Sequence, residues 1–146
     1  DLDVHQGNGT AAMLQNDDRV FTFSMHGRNN YPLQKEQSNL DVELADGIQD
    51  KEYLHLLSLH LDQLLSSFSP DFVFYQCGVD ILSSDKLGKL GISMKGCRER
   101  DRIVFDAVRQ LNVPVVCTMG GGYSPQIKDI VEAHAQTFRI GMDLLL

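Results

Sequence analysis

Residues 72–80 read Phe-Val-Phe-Tyr-Gln-Cys-Gly-Val-Asp. The first six form a continuous apolar-rich run of the kind found in a strand buried on both faces, and such strands belong to parallel sheets covered by helices. Gly78 would let the backbone come close to a metal or ligand. Asp80 then delivers a carboxylate at the carboxyl end of the strand, the edge where open α/β sheets bind their ligands. Taken alone, Asp80 could equally be a helix cap or a turn residue. A second run of the same kind, Val113 to Met119, ends in Gly120-Gly121-Gly122-Tyr123 and brings another functional group to the same rim. This glycine run lacks the Gly-Lys-Ser/Thr ending of a P-loop, which disfavours a nucleotide site.

Helical patterns separate these runs. Asp50 is a good N-cap for a helix to about Phe68, with Leu54, Leu57, Leu61, Leu64 and Phe68 on one stripe, and Ser69-Pro70 stops it. Ser93 caps a second helix, from about Met94 to Leu111. Ser124 and Pro125 start a third, through about Arg139. Arg19 to His26 reads as a strand with Phe21, Phe23 and Met25 on one face. Residues 26–46 read as a long polar surface loop, and 81–93 as another. The alternation predicts an α/β fold, with a three-layer, mainly parallel sheet carrying helices on both faces.

The chain opens with Asp1-Leu-Asp-Val-His5, which reads as a strand end stopped by Gly7-Asn8-Gly9, where positive φ is permitted. Alternate side chains of a strand share a face, so Asp1, Asp3 and His5 would project together. Carboxylate oxygen beside imidazole nitrogen suits zinc or ferrous iron better than calcium. The plainer alternative is a strand end with solvated polar groups.

Composition narrows the function classes. With 146 residues, 42% hydrophobic and 23% charged, the chain fits one globular domain and neither disorder nor a fibrous repeat. A net charge of −7, from 13 basic and 20 acidic residues, argues against nucleic-acid binding. No apolar run is long enough for membrane insertion, and no signal peptide opens the chain. Cys77, Cys97 and Cys117 are too widely spaced for a zinc ribbon or redox motif, and read as free thiols in a reducing, intracellular compartment. The absence of an initiating Met suggests the carboxyl-terminal part of a larger domain over residues 1–146. Such a segment alone should fold poorly, because its sheet keeps an open edge.

Asp1-Leu-Asp-Val-His-Gln-Gly-Asn-Gly-Thr10, Asp46-Gly-Ile-Gln-Asp50, Tyr75-Gln-Cys-Gly-Val-Asp80, Leu87-Gly, Gly91-Ile-Ser93 and Gly120-Gly-Gly-Tyr123 resemble, in this order, the zinc-dependent histone deacetylase family. Gln6 and Asn8 make the first motif most similar to class IV deacetylases and their bacterial relatives. The resemblance implies the arginase-deacetylase fold, present here as a partial domain, and an amidohydrolase that removes an acyl group from acyl-lysine by zinc-activated water. It implies Asp3, His5 and Asp80 as ligands of zinc (with ferrous iron possible), and Tyr123 as the donor to the developing oxyanion. It also implies that Asp1 orients a general-base histidine and that Asn8 stands behind a second one. A structural potassium ion would be held by Asp1, Asp3, His5, Ser24 and Met25. Tyr31, Leu87, Gly121 and Gly122 would line the substrate tunnel. The substrate would be an acylated protein or a small acylated amine, as in acetylpolyamine deacetylases. A non-catalytic acyl-lysine-binding scaffold is the third reading, and an intact ligand set with Tyr123 argues against it.

The sequence departs from the family pattern in three ways, one being Asn8 in place of the aspartate that many relatives use to orient the second histidine. The paired histidines that act as base and electrostatic partner are absent, and His26, His55, His60 and His134 lie outside the required motif. Gln6 replaces a histidine found beside the zinc ligand in many members, and being one residue out of phase it points off the metal face. Gly7 stands where the related two-manganese arginases place a third ligand, which favours a single metal.

Overall fold

The computed structural model describes residues 1–146. Its strands are β1 (Phe23–Gly27), β2 (Leu40–Leu44), β3 (Val73–Gln76) and β4 (Val115–Thr118). Its helices are α1 (Asn8–Leu14), α2 (Asp50–Ser67), α3 (Met94–Leu111) and α4 (Ile127–Leu145). Both strand pairs, β1 with β2 and β3 with β4, are parallel. The opening segment lies between them: Leu2 N–H donates to Gln76 O at 3.0 Å, while Asp1 O accepts from Met25 N–H at 3.0 Å and Val4 O from Gly27 N–H at 2.9 Å. The expected α/β architecture with parallel pairing is present.

Several elements differ from the sequence reading, each for a physical reason. Asp1 to His5 is no regular strand, because Asp1 Oδ1 takes the Asp3 N–H and Asp3 Oδ1 takes the His5 N–H, bending the chain where a ladder would continue. Gly7-Asn8-Gly9 leads into α1 rather than a positive-φ turn: Ala11 N–H closes the first helical bond onto Gly7 O, and Gly7 has φ −71°. The loop expected over 26–46 contains β2, whose Leu40, Val42 and Leu44 alternate beside β1. β3 is not buried on both faces. Tyr75 packs edge-on against Phe105 of α3 with ring centroids 5.9 Å apart, whereas the alternate residue Phe74 is 75% exposed. α4 begins at Ile127, since Ser124 Oγ bonds Gln126 N–H in a local turn, and it continues to Leu145.

α2 and α3 lie where the sequence predicts. Tyr53 and Leu57 of α2 join Phe105 and Val108 of α3 in one core cluster with Leu2, Val4, Tyr75 and Val79. The starts of the two helices are linked. Ser93 Oγ accepts the Gly96 N–H as the cap of α3, while Ser93 N–H and Oγ–H donate to Asp50 Oδ1 and Oδ2 at 2.8 and 2.5 Å. Asp50 thus opens α2 and holds α3 in place of capping its own helix. Ser93→Ala is expected to destabilise the full-length protein by about 1–2 kcal/mol, the upper part of the range for a lost N-cap, measured by urea unfolding.

Candidate metal centre

Asp3 and His5 come from the bent opening segment and Asp80 from the loop after β3. His5 Nδ1 lies 2.9 Å from Asp3 Oδ1 and 3.2 Å from Asp80 Oδ2, and one donor atom from each residue falls within 4.8 Å of the others. Val4 N–H donates to Asp80 Oδ1 at 3.0 Å and ties the two segments together. The side chains of Asp80 and Asp3 are 1% and 12% exposed and that of His5 is 30% exposed, so the cluster opens on the imidazole side.

The electrostatics favour positive charge at this point. Hydrogen bonds to Asp3 and then Asp80, opposed by burial, raise the His5 imidazole to about 10. Burial opposes ionisation of Asp3, but the hydrogen bonds and charge of His5 outweigh it and hold that carboxyl below its ordinary value. Burial dominates at Asp80 and raises it. Two carboxylates and one imidazole nitrogen, converging and open on one side, match the three-ligand set of a catalytic divalent metal.

The loop after β4 crosses this cluster. Gly121 and Gly122 have φ of +68° and +107°, and a Cβ on Gly121 would meet Asp80 Cγ at 2.5 Å. Only glycine satisfies both the backbone angle and the approach. Gly78 serves the same cluster differently from the sequence reading, because a side chain there would strike the carboxylate of Asp3 itself. Tyr123 follows directly, 57% exposed, with its N–H bonded to Asp85.

A family model for the histone deacetylase domain matches residues 1–138. The chain belongs to the histone deacetylase family. It is 46% identical over 144 residues to an uncharacterized protein of Picosynechococcus sp., across 99% of this chain and 48% of that protein. It is 40% identical over 126 residues to histone deacetylase 2 of Arabidopsis thaliana, across 84% of this chain and 33% of the plant protein. The chain thus spans less than half the length of these relatives. The crystal structure of a histone deacetylase homologue from Aquifex aeolicus superposes with a TM-score of 0.80 at 22% identity, covering 97% of this chain and 40% of that one, which shows the fold.

The other expected residues lie in the opening segment, α1, β1 and the loops that follow β1 and β3. Asp1 does not join the cluster; its carboxylate accepts the Asp3 N–H and lies against Gly7. Met25 N–H bonds Asp1 O, and Ser24 Oγ lies 3.0 Å from His26 Nδ1. Asn8 is half-buried at the start of α1. Gln6 points away as expected, bonding Glu36 through both its amide groups and Asp41 through Nε2. Tyr31 and Leu87 are exposed on neighbouring loops, joined by the bond from buried Asn30 Nδ2 to Leu87 O at 2.9 Å. No helix is long and apolar enough to cross a membrane.

Sequence reading missed the pair beneath the site. Arg100 and Asp101 of α3 are both fully buried. Arg100 Nη1 donates to Gly78 O at 2.5 Å and Leu2 O at 3.3 Å, and Nη2 to Cys77 O at 3.3 Å, so one guanidinium holds the backbone that leads to Asp3 and to Asp80. Asp101 Oδ1 lies 2.8 Å from Arg100 Nη2 and accepts Tyr75 O–H at 2.5 Å, while Oδ2 accepts Thr137 O–H at 2.6 Å. The signal was present in the spacing: Cys97, Arg100, Asp101, Val104, Phe105 and Val108 form the buried stripe of α3, so two charged residues stand at core positions. Arg100→Met leaves Asp101 buried without its cation and is expected to cost the full-length protein about 3–5 kcal/mol in urea unfolding. Arg109→Met, at an exposed ion pair on the same helix, should stay within about 0.5 kcal/mol.

Proposed function

We propose that the protein is a zinc-dependent deacylase acting on acyl-lysine, most similar to class IV deacetylases, with ferrous iron as the other metal this donor set takes. The observation that carries the reading is the meeting of Asp3, His5 and Asp80 under a glycine run that leads straight into Tyr123. A scaffold that only bound acyl-lysine would need no such convergence of metal donors.

Asp3, His5 and Asp80 would hold the ion, their two negative charges offsetting its own and the open imidazole side leaving room for substrate. The ion supplies Lewis acidity toward the amide carbonyl and makes a water more acidic. Tyr123 donates its hydroxyl hydrogen to the amide oxygen as that oxygen gains charge. Asp1 orients a histidine base contributed by residues other than these, and Asn8, which carries no charge, stands behind its partner. Water adds across the amide C–N bond and the products are a carboxylate and a free lysine amine. Tyr31, Leu87, Gly121 and Gly122 line the approach of the acyl-lysine. Asp1, Asp3, His5, Ser24 and Met25 form the site for a structural potassium ion. Three free cysteines fit a reducing intracellular compartment.

The full-length protein is expected to release acetate from an acetyl-lysine peptide, to lose that activity on chelation and to regain it with zinc. Tyr123→Phe should lower kcat by about 10²- to 10³-fold while metal content is kept, and Asp80→Ala should lose the metal. Parallel assay of an acetylated polyamine separates the substrate classes: turnover of the polyamine alone would replace the protein substrate with a small amine. Undiminished turnover after metal removal would contradict the proposal as a whole.

A further inference from the structure

The loops after β3 and β4 meet at one carboxylate that the proposed chemistry does not use. Asp85 Oδ1 accepts the Leu87 N–H at 2.8 Å and the Gly88 N–H at 2.9 Å, and its Oδ2 accepts the Tyr123 N–H at 2.7 Å. Three backbone N–H groups from two loops converge on this one side chain, so it ties both loops to a single point. Its own position is fixed behind it: Asp85 N–H donates to Leu82 O at 2.9 Å, and Leu87 O is held by Asn30, itself 3% exposed.

Tyr123 needs such a holder. It follows two glycines of positive φ, a backbone with little preference of its own, and precedes a turn closed only by the local bond from Gln126 N–H to Ser124 Oγ. The residue is more than half exposed, so packing does little to aim it. We propose that Asp85 is a positioning residue: it locks the Leu87 loop to the backbone of Tyr123, so that the rim that receives substrate and the hydroxyl that meets its carbonyl are set as one unit. This rests on the reading of Tyr123 as the oxyanion donor.

The test is a double-mutant cycle in the full-length, metal-loaded protein, using kcat and KM for an acetyl-lysine peptide. Asp85→Asn is isosteric and keeps an oxygen for Leu87 and Gly88 but turns an amide donor toward the Tyr123 N–H. It is expected to lower kcat by up to about 100-fold, the scale of an ångström-sized misplacement, with KM and metal content unchanged. In a Tyr123→Phe background the same substitution should cost almost nothing, because the hydroxyl it aims is already gone. An equal loss in both backgrounds, no loss in either, or loss of metal would overturn the role of Asp85. Normal turnover by Tyr123→Phe alone would instead remove the oxyanion reading on which it stands. Amide hydrogen exchange of the unsubstituted protein gives a check that requires no variant to fold. The Tyr123 N–H should exchange slowly, and exchange at the rate of an open loop would also overturn the proposal.

Discussion

The structure depends on one buried cation, the guanidinium of Arg100. It lies under the carboxyl ends of the strands and donates to carbonyls of the opening segment and of the turn after β3, the two stretches that carry Asp3 and Asp80. A buried cation of this kind is tolerable only when its donors are satisfied and its charge is matched. Asp101 provides the charge, and its other bonds reach Tyr75 on β3 and Thr137 on α4. The same pair therefore joins sheet, helices and site, which explains how two carboxylates can be held close together in a largely buried place. Two carboxyl groups brought this close beside one imidazole make a place that suits a divalent cation.

Much of this was legible in the sequence. Asp80 after an apolar run, Asp3 and His5 at alternate positions, and Gly120-Gly121-Gly122-Tyr123 after a second run all point to the rim of a parallel sheet, because chain direction in such a sheet puts every strand's carboxyl end on one side. α2 and α3 were readable from stripe and stop signals, and α3 from the Ser93 cap.

The rest was hidden by side chains doing unusual work. The aspartates of the opening segment take backbone N–H groups for themselves and bend what alternation alone reads as a strand. β2 is a short Leu-x-Val-x-Leu pattern inside a polar stretch, too brief to outweigh its surroundings. Phe74 is apolar yet exposed, because apolar content tells that a face is sticky and not which neighbour covers it. Asp50 reads as a helix cap and Asp85, Arg100 and Asp101 carry no signal in any motif, yet each bonds a segment distant in sequence. Such roles depend on which loops meet, and spacing along one chain does not encode that.

The most direct test of the account is the position of the metal. Anomalous scattering at the zinc edge from crystals of the full-length protein is predicted to show one peak about 2.0–2.2 Å from His5 Nδ1 and from one carboxylate oxygen each of Asp3 and Asp80. A peak bound elsewhere, or bound without Asp80, would contradict it.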